Sequence, residues 1–131
     1  MSKILISSES RYPVKRKKIK EVVNRFLAEQ KITSEVEVSI AVVGDRKMAK
    51  LNKQYRLKDG TTPVLTFSLS EPGSEPHNFA KPPDSVMRLG DIVISYPQTV
   101  LAAAEEDKMV DEVLSEFVEH GLRNLLGLNS I

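Results

Sequence analysis

The sequence contains no cysteine and no long apolar run. Without cysteine, disulfide bonds and thiolate metal sites are both excluded. No apolar stretch approaches the roughly 20 residues that a membrane-spanning helix needs, and the apolar stretch near the N-terminus is too short for a signal peptide. These absences favour a cytoplasmic protein. The 131-residue chain is long enough to bury a core without a structural metal.

Net charge is also nearly absent, at +1, but the two parts of the chain differ in sign. Residues 1–60 contain 15 Lys and Arg against 7 Asp and Glu, whereas residues 61–131 contain 4 against 11. A basic half is suited to a partner rich in phosphates, because neutralised phosphates release bound counterions. For the basic run at residues 15–20 alone we favour a simpler interpretation, that it solvates one helix face.

Hydrophobic periodicity predicts a single domain of the α+β class, spanning residues 1–131. Alternating or short apolar runs predict four strands, at residues 4–6, 36–42, 64–69 and 92–94. Helical spacing predicts four helices, at residues 13–30, after a cap at Asp45, after Pro97 and at residues 109–126. The expected architecture is a mixed, mostly four-stranded sheet packed with helices.

Three local features add detail to this expectation. Pro63 cannot donate to a strand ladder, so the third strand is expected at a sheet edge. The helix after Asp45 should place Met48, Leu51 and Tyr55 on its inner side. Residues 71–84, rich in Pro, Gly and Ser, are expected to form a surface loop.

The final predicted helix carries the spacing of a three-ligand metal site. His120 and Asn124 are four residues apart and therefore lie on one helix face. Gly127 is the expected helix stop, after which Ser130 can swing back toward the same point. This is the H-x-x-x-H-x-x-G-x-x-H geometry that binds zinc through three histidines. The general-base glutamate of metalloproteases is replaced by Gly121, so peptidase activity is not expected.

Three sequence blocks together resemble the YbeY family, the rRNA maturation endoribonucleases. The blocks are LNKQYRLKD at residues 51–59 followed by TPVLTF at 62–67, LGDIVIS at 89–95, and the HG, L and G positions of the last helix at His120, Gly121, Leu125 and Gly127. The resemblance covers almost the whole chain in order. It implies a cytoplasmic, zinc-dependent endoribonuclease that acts on single-stranded RNA in rRNA processing and ribosome biogenesis.

The resemblance also implies roles for individual residues. Arg56 and Lys58 match the family's R-x-K and would contact RNA phosphates, and Lys53 would extend the same basic face. A guanidinium offers a bidentate fork and an ammonium a point charge, and both suit a phosphate. The alternative is that these are ordinary surface cations. His120 would be a catalytic residue or the remaining metal ligand, or else an ordinary helix histidine.

Two of the three family ligands are replaced here, by Asn124 and Ser130. A neutral amide oxygen and a hydroxyl are poor ligands for zinc. Zinc binding is therefore expected to be weak or absent. Two hypotheses stay open: an endoribonuclease that uses His120 and Arg56, and an inactive family member that binds RNA, a ribosomal protein or the small ribosomal subunit.

Overall fold

The computed structural model describes residues 2–69 and 86–128. The elements follow in chain order: β1 Lys3–Ser8, α1 Arg16–Glu29, β2 Val36–Val43, α2 Asp45–Arg56, β3 Val64–Ser68, β4 Met87–Ser95, α3 Tyr96–Glu106 and α4 Val110–Leu125. The predicted α+β class with a mixed four-stranded sheet is confirmed. The loop predicted at residues 71–84 lies outside the described residues.

The sheet has the strand order β1-β2-β4-β3. β1 and β4 both run parallel to β2, whereas β3 is antiparallel to β4. Because β3 pairs with β4 alone, it is an edge strand, as Pro63 at its start predicts. This edge also positions a pocket, because Val64, Leu65, Thr66 and Phe67 of β3 line it.

The helices cover the two faces of the sheet unequally. On one face, α1 and α4 pack over the strands, and Phe26 and Leu122 join Ile40 and Ile92 in the main core. On the other face of the sheet, α2 packs on the strands in a smaller core, and Met48 is completely buried there. No helix in the described part of the chain is both long and apolar enough to cross a membrane.

Two strands extend further than predicted, β1 over Lys3–Ser8 and β4 over Met87–Ser95. In β4 the alternation breaks at Gly90, which has φ +134° and lies where the register with β2 shifts. A Cβ at Gly90 would stand 2.1 Å from the backbone oxygen of Phe67, so only glycine is accommodated. This irregularity conceals the first half of β4 from an analysis of periodicity.

Two helix starts also differ from the prediction. α1 begins at Arg16 rather than at residue 13, because Lys15 has an extended backbone. α2 is preceded by Gly44 as its N-cap residue, and Asp45 is already helical. Asp45 therefore does not cap α2 as predicted, and its carboxylate has other partners that are described below.

Candidate functional site

A pocket of about 850 Å³ lies between the edge strand β3 and the C-terminal half of α4. Its walls come from three segments that are far apart in sequence: the end of α2, β3 with the residues just before it, and one face of α4. The lining residues that carry polar or charged side chains are Tyr55, Arg56, Thr62, Thr66, Glu116, His120 and Asn124. The pocket therefore combines cationic, acidic and imidazole groups in a largely open cleft.

α4 supplies one wall through Glu116, His120 and Asn124, which follow one another at intervals of four residues. This interval places them on one helix face. His120 is exposed and Asn124 is half-buried. The Glu116 carboxylate accepts a hydrogen bond from Lys108 Nζ at 2.8 Å. The structure thus brings His120 and Asn124 to the same pocket, as the spacing predicts.

Gly121 explains how α4 approaches the sheet closely enough to form this wall. A Cβ at this position would lie 2.7 Å from Ile92 Cγ2 and 2.9 Å from two further carbons of the same side chain. The glycine is buried, so any larger residue would force α4 away from β4. A glutamate would not fit at this position, so the absence of the metalloprotease general base has a structural explanation.

α4 ends where the sequence predicts. Gly127 has φ +70°, a conformation that favours glycine. The Leu128 amide donates to the Arg123 carbonyl at 2.8 Å, and the Gly127 amide donates to the Asn124 carbonyl at 3.2 Å. These bonds reverse the chain after α4. Ser130, the third predicted ligand position, lies outside the described residues.

The opposite wall is formed by the end of α2. Tyr55 and Arg56 both line the pocket. Tyr55 lies on the side of α2 that faces the sheet, as predicted, because its ring meets Phe67 edge-on at 5.1 Å. It is nevertheless 58% exposed. Lys53 and Lys58 are exposed but do not line the pocket.

The turn after α2 is positioned by Asn52, which sequence analysis missed. Asn52 is only 3% exposed, and its Nδ2 donates to the Gly60 carbonyl at 3.0 Å. Its own carbonyl accepts from the Lys58 amide at 3.4 Å. Leu57 has a left-handed φ of +58°, which turns the chain directly after Arg56. The sequence signal that could have identified Asn52 is its place, as a polar residue, on the buried side of an amphipathic helix.

Asp45 anchors the other end of α2 to the molecule. Its carboxylate accepts from Ser95 Oγ at 2.7 Å, Thr61 Oγ1 at 2.9 Å and Gln98 Nε2 at 3.3 Å. Burial alone would raise the pKa of Asp45, but these three hydrogen bonds outweigh it and hold the pKa below its ordinary value. The network joins α2 to α3 and to the segment that leads into the pocket.

A family model described as Endoribonuclease YbeY matches residues 6–130. The chain belongs to the YbeY family. The resemblance inferred from the motifs is therefore confirmed. Three of the motifs shared with the YbeY family surround the pocket. Residues 51–59 include the end of α2, residues 62–67 form the β3 wall of the pocket, and the last motif lies at the end of α4.

Several YbeY proteins share about a third of this sequence. The Endoribonuclease YbeY of Dehalococcoides mccartyi is 34% identical over 113 residues, which are 83% of this chain and 71% of that protein. That of Moorella thermoacetica is 34% identical over 125 residues, or 92% and 79% of the two chains. That of an Anaeromyxobacter species is 40% identical over 94 residues, 72% of this chain and 44% of that protein.

The fold is similar to that of a Thermotoga maritima protein solved in solution. The two superpose with a TM-score of 0.61 at 25% sequence identity, over 95% of this chain and 72% of that one. The arrangement of elements described above is thus also found in an experimentally determined structure.

The pocket of this YbeY-family member does not fit zinc well. Within residues 2–69 and 86–128, no three His, Asp or Glu side chains are grouped so that they could hold a metal ion. The described donors at the family's ligand positions are the imidazole of His120 and the carboxamide of Asn124. An amide oxygen is a poor substitute for an imidazole on zinc, so this pair is a weak donor set.

Proposed function

We propose that this chain acts on single-stranded ribosomal RNA as an endoribonuclease of the YbeY type, in the cytoplasm. One observation carries the proposal: Arg56, from the end of α2, and His120, from α4, line the same pocket although 64 positions separate them. A cation that can bind phosphate and an imidazole that can transfer a proton could therefore act on the same substrate.

The α2 wall suits RNA that is not base-paired. Tyr55 is largely exposed and lines the pocket together with Arg56. Unpaired bases stack on aromatic side chains, whereas bases within a duplex are not accessible for such stacking. Arg56 would bind the phosphate next to the stacked base through its planar fork. Lys53 and Lys58 would add positive charge at the entrance without reaching the scissile bond.

The α4 wall would supply the chemistry. His120 is exposed to the pocket, where its imidazole can accept a proton from an attacking hydroxyl or return one to a leaving oxygen. Arg56 would stabilise the negative charge that develops on the phosphate. Because the donor set does not fit zinc, no step is assigned to a metal, and cleavage is expected to be slow.

A second function is favoured by the same donor set. With Asn124 and Ser130 at ligand positions, the chain would keep the RNA surface and lose cleavage, as an RNA-binding protein of the small ribosomal subunit or a partner of a ribosomal protein. As an RNA-binding protein, the chain would still require Arg56 and Tyr55 to contact RNA, and would differ from the endoribonuclease in the absence of cleavage at His120. As a partner of a ribosomal protein, it would not need that contact.

The test combines cleavage, binding and metal content. End-labelled single-stranded RNA and the matching duplex are incubated with the protein, with zinc or with a chelator, and binding is measured in parallel. We expect slow cleavage of the single strand alone, lost in His120→Ala and in Arg56→Ala but kept in Lys17→Ala, an exposed cation of α1. Binding without cleavage would establish the RNA-binding form of the second function. Absence of both binding and cleavage would exclude the endoribonuclease and that RNA-binding form.

The metal arm uses Asn124→His combined with Ser130→His. Elemental analysis should find little zinc in the unchanged protein and about one ion per chain in the double variant, because three imidazoles restore the tetrahedral donor set. The double variant should also cleave faster when zinc is present. About one zinc per chain already in the unchanged protein would show that its donor set still binds the metal.

A further inference from the structure

α2 presents an unusual concentration of positive charge. Its 12 residues include five cations, and all five are exposed: Arg46, Lys47, Lys50, Lys53 and Arg56. The helix contains one acidic residue, Asp45, whose carboxylate is occupied by Ser95, Thr61 and Gln98. The helix itself therefore provides no counter-charge for its outer surface.

The rest of the protein does not provide one either, as far as the structure describes it. Every ion pair between described residues involves cations other than those five. Arg46, Lys50 and Lys53 stand at positions i, i+4 and i+7, which places them in a row along one helix face. Lys47 and Arg56 flank this row. We call these five side chains the α2 cationic row.

The two ends of the α2 cationic row open into different cavities. Arg56 lines the pocket that contains His120. Arg46, Lys47 and Lys50 line a separate recess of about 430 Å³ at the start of α2. From Arg46 to Arg56 the helix rises about 15 Å, at 1.5 Å per residue. One exposed helix face thus leads from the candidate active site to a second, basic recess.

The single acid of that recess is already engaged. Glu9 accepts a hydrogen bond from the Gly44 amide at 3.0 Å and pairs with Arg11 at 3.2 Å. It therefore satisfies the start of α2 and neutralises Arg11. The charges of Arg46, Lys47 and Lys50 are left for a ligand.

We infer that the α2 cationic row binds the phosphate backbone of a single-stranded RNA whose adjoining nucleotides occupy the His120 pocket. This inference rests on the proposed function and extends it to a defined length of substrate outside the pocket. A regular series of cations matches the regular series of phosphates on one strand, and each contact releases counterions.

An acidic protein is a less suitable partner for this surface. Protein interfaces depend on a few buried aromatic or aliphatic anchors. Between Arg46 and Lys53, the described side chains of α2 include no exposed large apolar residue. The exposed Tyr55 and Leu57 lie at the pocket end, where bases are expected. Charge without anchors favours a polyanionic strand.

The experiment compares Arg46→Ala combined with Lys50→Ala against Lys17→Ala combined with Lys20→Ala. Both double variants remove two exposed cations, but Lys17 and Lys20 lie on α1, on the opposite face of the sheet. Dissociation constants are measured by fluorescence anisotropy over a range of salt concentrations. The probes are labelled oligouridylates of about 5 and about 20 nucleotides, which bracket the site size of a single-strand-binding surface.

For the longer RNA, the α2 variant should bind several-fold more weakly. The slope of log K against log salt should fall by about 1.4, at about 0.7 for each lost phosphate contact. The α2 variant should bind the shorter RNA as tightly as the unchanged protein does. The α1 variant should bind both probes with unchanged affinity. Arg56→Ala should weaken the binding of both probes, because Arg56 lies in the pocket.

Three results would overturn the inference. In the first, the α2 variant keeps the affinity and salt slope for the longer RNA while Arg56→Ala weakens it, so the proposed function survives alone. In the second, the α1 variant loses as much as the α2 variant, which indicates nonspecific charge. In the third, polyglutamate displaces the longer RNA as well as unlabelled RNA does. Absence of any binding by the unchanged protein would reject the proposed function as well.

Discussion

The two basic helices α1 and α2 lie on opposite faces of the sheet and use their charges differently. Lys15, the N-cap residue of α1, pairs through Nζ with Asp111 at 2.9 Å, and Arg25 of α1 pairs with Glu119 at 3.4 Å, both partners lying on α4. Arg16 donates to the backbone oxygen of Ile6. The cations of α2 have no such partners among the residues that the structure describes. A basic helix can thus belong to the fold or be available to a ligand.

This difference divides the charge asymmetry of the sequence into two parts. Some of the positive charge of the first half meets the negative charge of the second half across the interface of α1 and α4. Lys15 and Arg16, from the run at residues 15–20, thus contact other parts of the fold, whereas the simpler interpretation had them only solvate one helix face. Among the described residues, the cations without an acidic partner include all five of α2, next to the pocket, and also Lys17, Lys18 and Lys20 of α1. The surface to test for RNA is therefore α2, although α1 has the longer basic run.

The largest effect that sharpens this comparison is expected on the α1 and α4 face. Gly121→Ala should destabilise the protein by about 1–3 kcal/mol, because the new methyl group overlaps Ile92 in a packed core. Urea unfolding followed by circular dichroism measures the loss. The still-folded variant keeps the α2 cations, so its free energy of RNA binding should change by less than its free energy of unfolding.

Glu112→Ala is the matched control for that variant. Glu112 is an exposed position of the same helix, and such changes are usually within about 0.5 kcal/mol. Gly121→Ala combined with Ile92→Ala should recover part of the overlap energy, because the methyl group then has space. A Gly121→Ala protein as stable as the unchanged one would mean that α4 is not held at this distance from the sheet.

Most of the fold could be predicted from periodicity and a few special residues. Pro63 marked the edge strand, and Gly127 marked the end of α4. The first half of β4 could not be predicted, because Gly90 interrupts its alternation at a register shift. Nor could the role of Asp45: a short polar residue at a helix start usually indicates a cap, and only the tertiary structure brings Ser95 and Gln98 to it.

The site was predictable in its chemistry but not in its boundaries. Spacing placed His120 and Asn124 on one helix face, and the motif resemblance singled out Arg56. The sequence could not show that Lys53 and Lys58 lie outside the pocket. For Lys58, the direction of the chain is set by the left-handed turn at Leu57. Tyr55 was expected on the inner side of α2, and helical spacing alone could not reveal that more than half of its surface stays exposed.

A smaller effect should appear where α2 is attached. Asp45→Asn should cost about 1 kcal/mol at neutral pH, because an amide replaces the charged acceptor of three hydrogen bonds. The folded pKa of Asp45 lies below its ordinary value of 3.8. Its contribution is therefore complete above that value and is lost as the pH falls through the lower folded pKa.

Unfolding curves at neutral pH and near pH 3 test this expectation, with Asp91→Asn as a matched carboxylate on the same face of the sheet. The difference in stability between Asp45→Asn and the unchanged protein should shrink as the pH falls. A difference that stays constant with pH would mean that the carboxylate charge does not hold α2 in place, and that packing around Met48 suffices.

The smallest expected effect is the most direct test of the difference between α1 and α2. Arg25→Gln removes the pair with Glu119 on the α1 face, where the Arg25 side chain is 60% exposed. Exposed pairs are worth less than about 1 kcal/mol, so stability should change little. RNA affinity and its salt slope should not change at all, in contrast to Arg46→Ala with Lys50→Ala. If Arg25→Gln weakened RNA binding as much per charge removed, both basic helices would serve the ligand and the distinction between them would be wrong.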